Sequence, residues 1–310
     1  TAMVMTRMAA AAGVLLLWVS VAVAGDLPGP VVDAEWLDRN REAVIVIDVR
    51  KDTKAYSEAG HIPGARLVDW KAARGTRTVD GVELQMMLPD GAAFEALMRD
   101  AGVDGDSAVV VTHGGETPYQ VAYAARLYWQ LKSYGHDRVA LLDGGTKAWE
   151  AAGKPLATEA AAPERGNFTA RDQRTDILAT TADVEKALAD GTAGLVDARP
   201  LAFYLGMDQR DYVSAKGHIP GSKVVPFTLN TRGKAPALFR PADELRAAYE
   251  ALGVDTAKPA IAYCNSGAVS AATWFVLSEI LGNKQARHYD GSMHEWTKDP
   301  SRPVVAMRME

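Results

Sequence analysis

Cys264 is the one cysteine of this 310-residue chain and the side chain best suited to act as a nucleophile. It ends the short apolar run at residues 260–263 and is followed by Asn265, Ser266, Gly267, Ala268, Val269 and Ser270, after which the pattern turns helical. A strand, a tight loop and a helix start can point several backbone N–H groups at one spot, and such a spot favours an anion. A thiol held there is stabilised as its thiolate, since cysteines at helix N-termini titrate well below the free value of about 8.5. The chemistry to expect is covalent: the sulfur attacks an electrophilic atom and carries a group until an acceptor removes it. A lone cysteine can also be an inert core residue; the neighbours of Cys264 favour the reactive reading. No metal is expected, because His113, His136, His288 and His294 lack HxxxH or CxxC partner spacing.

The elements that must hold this loop occur twice along the chain. The strand-like run ending in Asp48 and Arg50 recurs as the run ending in Asp197 and Arg199. Gly60-His61-Ile62-Pro63-Gly64 recurs as Gly217-His218-Ile219-Pro220-Gly221, followed by strand-like residues 66–70 and 223–227. The apolar run at 108–112 recurs at 260–263, each leading through a glycine-containing loop into a helical stretch, 120–132 and 270–281. Asp143-Gly144-Gly145 before Trp149 recurs as Asp290-Gly291-Ser292 before Trp296. The order is the same and the offsets are nearly constant, so the chain is a duplication. Short apolar strands alternating with longer amphipathic segments read as α/β units around a mostly parallel sheet flanked by helices. Residues 25–157 make the first domain, 158–175 a linker rich in small, polar, Pro and Gly residues, and 176–310 the second.

Taken together, the paired GHIPG turns, the two Asp-x-Arg strand ends, the DGG and DGS segments and the CxxGxxS loop resemble the rhodanese family of sulfurtransferases. The resemblance implies two tandem rhodanese-like domains, the first inactive, since His113 stands where the second has Cys264. It implies that the Cys264 thiolate takes the outer sulfur of a small anionic donor such as thiosulfate. The persulfide would then pass its sulfur to cyanide, a small thiol or a protein thiol, with no cofactor. The amides of Asn265, Ser266, Gly267, Ala268, Val269 and Ser270 would bind the donor. Family members that prefer thiosulfate often carry basic residues just after the cysteine, whereas Asn265 and Ser266 are neutral here. The 3-mercaptopyruvate branch often has Gly-Ser-Gly or Gly-Thr-Gly there and an arginine in the stretch held here by Phe203 and Tyr204; Arg210 is the candidate substitute, at a different spacing.

The recurrence of His61 as His218, and of the Asp–Arg pairs, points to structural work: turn bonding for the histidines and internal ion pairs for the others. Trp149, Trp274 and Trp296 read as core residues. Two rival functions remain. A cysteine phosphatase needs an arginine six residues after the nucleophile to clamp phosphoryl oxygens, and that position is Ser270. A persulfide carrier that relays sulfur to a partner protein without turnover shares every feature of the enzyme.

A net charge of −5 and a pI near 5.7 provide no basic footprint for nucleic acid. The apolar share of 48% is that of a core-forming protein, which excludes a disordered acidic chain. Near the N-terminus, Arg7 precedes an apolar run at 8–23 that ends in Ala22-Val23-Ala24. That is the pattern of a cleavable secretory signal over residues 1–24, too short for a membrane anchor. The expectation is a periplasmic or secreted protein with no membrane attachment after cleavage. An exported chain with one unpaired cysteine cannot form an internal disulfide, which keeps the thiol free for chemistry.

Overall fold

A computed structural model describes residues 26–307. The proposed signal segment, 1–24, lies outside the described residues. Among those described, no helix is long and apolar enough to cross a membrane.

The strands of the first half are β1 (Val31–Val32), β2 (Ile45–Arg50), β3 (Arg66–Asp69), the antiparallel hairpin β4 (Gly75–Val79) and β5 (Val82–Met87), β6 (Val109–Thr112) and β7 (Val139–Leu142). Those of the second are β8 (Leu178–Ala179), β9 (Gly194–Asp197), β10 (Lys223–Val224), the antiparallel pair β11 (Thr231–Arg232) and β12 (Leu238–Phe239), β13 (Ala260–Tyr263) and β14 (Ala286–Tyr289). Each half forms a five-stranded sheet, β3-β2-β6-β7-β1 in the first and β10-β9-β13-β14-β8 in the second. All pairings within these two sheets are parallel. Matched by position, the two strand orders are identical, as a duplication requires. β6 and β13 are central and buried at every residue, so they read as continuous apolar runs, not alternating ones.

Two helices join the halves. The first, Pro118–Ser133, starts at Thr117, whose side chain accepts the N–H of Gln120, with proline in the first turn where no N–H is needed. It is buried on nearly all sides, which marks a helix sandwiched between layers. The second, Ser270–Phe275, is wholly buried and packs against the first. Tyr128 meets Phe275 edge-on at 4.8 Å across this seam. One hydrophobic core therefore runs through both halves, from Ile47 and Val111 to Val196 and Ala262. Each fully buried aliphatic or aromatic side chain in it contributes about 1.5–3 kcal/mol.

Three sequence expectations are altered. Only Lys223–Val224 of 223–227 is strand, because Pro226 has no N–H for a ladder and a 3₁₀ turn follows at Phe227–Asn230. The helix expected over 270–281 widens to a π turn at Val276–Ile280, closed by Leu281 N–H donating to the Val276 carbonyl at 2.8 Å. The segment 158–175 has no helix or strand, yet it is not a loose tether. Phe168 is buried against Phe94, and its N–H donates to the Val103 carbonyl at 2.9 Å.

Candidate active site

The loop from Cys264 to Val269 leaves the carboxyl end of central strand β13, where open parallel sheets place their ligands. In register, Tyr263 lies beside Asp197, so the Asp197–Arg199 pair and Cys264 meet at one sheet edge. Cys264 is 2% exposed. Cys264 is nevertheless among the residues that line a cavity of about 950 Å³ between the two halves.

Of the residues expected to bind the donor, Asn265, Ser266, Ala268, Val269 and Arg210 line this cavity. Arg210 is exposed and stands over the Phe203 ring at 5.2 Å. Gly267 and Ser270 do not line it. The Gly267 amide is already engaged, donating to Ser292 Oγ at 3.1 Å, so the expected role of that amide in holding a donor is corrected. A side chain at Gly267 would strike Arg126 and Asp290, because the loop turns through φ +69° directly on them. The N–H groups of Asn265, Ser266, Ala268 and Val269 meet no acceptor among the described residues. Ser270 is buried behind the loop, its hydroxyl donating to Cys264 Sγ at 3.2 Å. A phosphatase would require an arginine at this position.

Ser292 braces the loop. Its Oγ accepts from Cys264 N at 3.0 Å as well as from Gly267 N, and donates to the Tyr289 carbonyl at 2.9 Å. Ser292 does this from φ +52°, a conformation that costs a non-glycine residue of order 1–3 kcal/mol and that only a determined surrounding maintains. The loop is further clasped to the short helix Ser292–Trp296 by Met293 N to Cys264 O at 3.0 Å and His294 N to Asn265 O at 2.8 Å.

The first half also reaches this loop. Arg74, which follows β3, donates to the Ser266 carbonyl at 2.9 Å and to Ser266 Oγ at 3.1 Å. Burial and the neighbouring Arg126 push Arg74 down to about 10, so it is a cation at neutral pH. Arg126, on the Pro118–Ser133 helix, donates to the Gly267 carbonyl at 2.8 Å and pairs with Asp290 at 2.5 Å. Burial alone would raise the Asp290 carboxyl, but Arg126 and its other neighbours together outweigh it and hold the group below the ordinary carboxylate range. Leu88 N–H also donates to Asp290 at 2.6 Å. Arg199 pairs with Asp197 at 2.7 Å, as expected of an internal ion pair, but it also reaches Asn265 Oδ1 at 3.3 Å and lines the cavity. Burial disfavours the Arg199 charge, yet the bonds it donates to Asp197 and that carboxylate's charge, with smaller help from its neighbours, raise it above the ordinary arginine value. Arg74, Arg199 and Arg210 thus line one cavity with the thiol.

The histidine turns are structural. His61 stacks on Tyr56 at 3.6 Å and His218 on Tyr204 at 3.6 Å, with Nδ1 donating to the carbonyl of the same tyrosine in each case. Trp149, Trp274 and Trp296 are core residues. Among the described residues no cluster of His, Cys, Asp or Glu could hold a metal.

Sequence reasoning missed Arg74, which lies 192 residues from its partner Ser266 and carries no local signal. The bracing role of Ser292 was missed as well, although the change from DGG to DGS between the halves is its trace.

The rhodanese-like domain model matches residues 33–152 and again 180–299. The chain belongs to the rhodanese-like family. A provisionally named thiosulfate sulfurtransferase of Mycolicibacterium smegmatis is 34% identical over 281 residues, covering 88% of this chain and 96% of that protein. The sulfur carrier protein TtuD of Thermus thermophilus is 33% identical, covering 87% and 94%. The crystal structure of the 3-mercaptopyruvate sulfurtransferase SseA from Escherichia coli superposes with a TM-score of 0.73 at 30% identity, covering 85% of this chain and 98% of that one. This rhodanese-like protein is, at that level, a sulfurtransferase with two tandem domains.

Proposed function

We propose that the protein transfers the sulfane sulfur of thiosulfate to a thiol or cyanide through a persulfide on Cys264. The Cys264 thiolate attacks the outer sulfur, the S–S bond of the donor breaks, and sulfite leaves with the electron pair. An acceptor nucleophile then attacks the outer sulfur of the persulfide, and the electron pair returns to Cys264 as thiolate. The observation that carries this reading is the cavity: Cys264, Arg74, Arg199 and Arg210 line it together, and the loop amides of Asn265, Ser266, Ala268 and Val269 meet no acceptor among the described residues. A dianionic donor and a sulfite leaving group both need such fixed positive charge more than they need a general base. Arg74 supplies the cation that the neutral Asn265-Ser266 sequence lacks.

Export as a soluble periplasmic or secreted protein is part of the proposal and rests on the charge, apolar run and small-residue ending of residues 1–24. Thiosulfate suits that setting better than a cytosolic keto acid.

Steady-state transfer from thiosulfate to cyanide, compared with 3-mercaptopyruvate as donor, tests the reading. Thiosulfate is expected to be the better donor by kcat/KM; preference for the keto acid would place the protein with the branch that includes the Escherichia coli relative. A second reading, persulfide carrier, is favoured by the Thermus relative's name. A burst of one sulfur per Cys264 with no later turnover would support the carrier.

A further inference from the structure

Behind Cys264 lies a polar chain that the sulfur-transfer scheme does not use. Ser270 Oγ is 3.2 Å from Cys264 Sγ and 2.9 Å from Nε2 of His288, and both Ser270 and His288 are fully buried. His288 sits on β14, paired in register with Leu178 of β8. The matching position of the first half, on β7 opposite Val31 of β1, is Leu141. A core strand position that takes leucine in one half and imidazole in the other has no structural need of the imidazole.

We propose that His288, neutral and protonated on Nε2, orients the Ser270 hydroxyl toward Cys264 and so acts as a positioning residue for the anionic sulfur. A serine hydroxyl has one hydrogen; if it points to Sγ, the contact with His288 must run the other way, from Nε2–H to Oγ. The opposite tautomer would turn the Ser270 proton away from sulfur and leave a buried Nδ1–H. Nδ1 makes no hydrogen bond of good geometry among the described residues; the Gly267 carbonyl lies near enough to favour a proton on the ring, but it is aligned on Arg126, from which it accepts at 2.8 Å. An orphaned buried N–H is rarer than an orphaned lone pair, so the Nε2–H form is the one the site accepts. Burial pushes the imidazole down to about 3, which keeps it uncharged at neutral pH. Trp129 of the first half closes the ring edge-on at 4.5 Å. Asp290 and Arg126 are the charged groups facing His288; Arg74, Arg199 and Tyr212 are those acting on Cys264. A directed hydroxyl donor stabilises the thiolate and the persulfide alike.

The inference extends the persulfide reading, and its test is independent of it. The rate of Cys264 alkylation by iodoacetamide is followed against pH in the full chain, and melting temperature is measured alongside. His288→Leu is expected to slow alkylation at neutral pH about tenfold and to move the pH midpoint upward, the loss of one bond to a charged group. His288→Asn, whose amide falls at the Nδ1 position, should do the same and stands in if the leucine variant does not fold. His288→Gln, whose amide can reach Ser270, should stay within about twofold of the parent, and Ser270→Ala should match the leucine variant. A leucine or asparagine variant that alkylates like the parent, or a glutamine variant as slow as leucine, overturns the proposal. Alkylation consumes no sulfur donor, so this outcome holds whether or not thiosulfate loads Cys264, which a separate loading experiment decides.

Discussion

The two halves share a sheet order, an Asp–Arg pair at one strand end and a stacked histidine turn, yet they treat the loop after the central strand in opposite ways. In the second half Cys264 lines a cavity, and Ser292 holds two of its loop amides. In the first, His113 occupies the nucleophile's position, is buried, and faces Gly145, the counterpart of Ser292. A Cβ at Gly145 would lie 2.3 Å from the His113 carbonyl and 2.8 Å from its Nδ1. The bracing serine is therefore sterically incompatible with the first loop as it stands. The equivalent clasp persists there, to the helix Gly145–Ala151, with Thr146 N to His113 O at 2.7 Å and Lys147 N to Gly114 O at 3.1 Å. Duplication has preserved the frame in both halves and kept the open thiol site in one. The first half instead supplies Arg74 and Arg126 to its neighbour's loop.

The sharpest way to break this contrast is at the nucleophile. Cys264→Ser should reduce sulfur transfer to background with an unchanged melting curve; transfer above a few per cent of the parent would place the nucleophile elsewhere. Next in size is the buried bridge between halves. Arg126→Leu leaves Asp290 buried without its cation, and thermal or denaturant unfolding should register a loss of about 3–5 kcal/mol; a loss under 1 kcal/mol would mean that the first half does not support the site through this pair. Arg74→Met should raise KM for thiosulfate about tenfold, with kcat little changed, as one or two charge-assisted bonds disappear. Adding Asn265→Arg with Ser266→Lys to that variant should recover most of the loss, and failure to recover it would show that the charge must come from the first half.

A smaller effect concerns a feature both halves share. Burial pushes His113 and His288 each down to about 3, whereas in the unfolded chain a histidine takes up its proton near 6.5. Between these values the unfolded state binds more protons, so stability falls as pH drops through that window, by up to about 1.4 kcal/mol per pH unit for each histidine. His113→Leu should flatten the dependence of stability on pH between about 6 and 4, in a titration monitored by unfolding; an unchanged slope would show that His113 is not held neutral. The smallest expected effect is on transfer by His113→Ala, within severalfold of the parent; a collapse of activity in a folded variant would make the first loop part of the chemistry.

The α/β class, the tandem sheets and the placement of Cys264 at a strand end were legible because apolar runs and glycine-containing turns repeat in the same order. The structural roles of His61 and His218 were legible for the same reason, since a residue present in both halves is explained by what both halves do. What was not legible depended on distance. Arg74 and Arg126 approach the loop only after two sheets have packed, and nothing local to either arginine points at residue 266 or 267. Phe168 was hidden in a polar segment, where a single apolar residue gives no period. His288 was read only for metal spacing, while its contrast with Leu141 becomes informative once the strands are superimposed.

The most direct test is to treat the purified full chain with thiosulfate and map the product by mass spectrometry. The account predicts a gain of about 32 Da, one sulfur atom, on the peptide that carries Cys264, lost again on addition of cyanide. No gain there, or the same gain in Cys264→Ser, would contradict it.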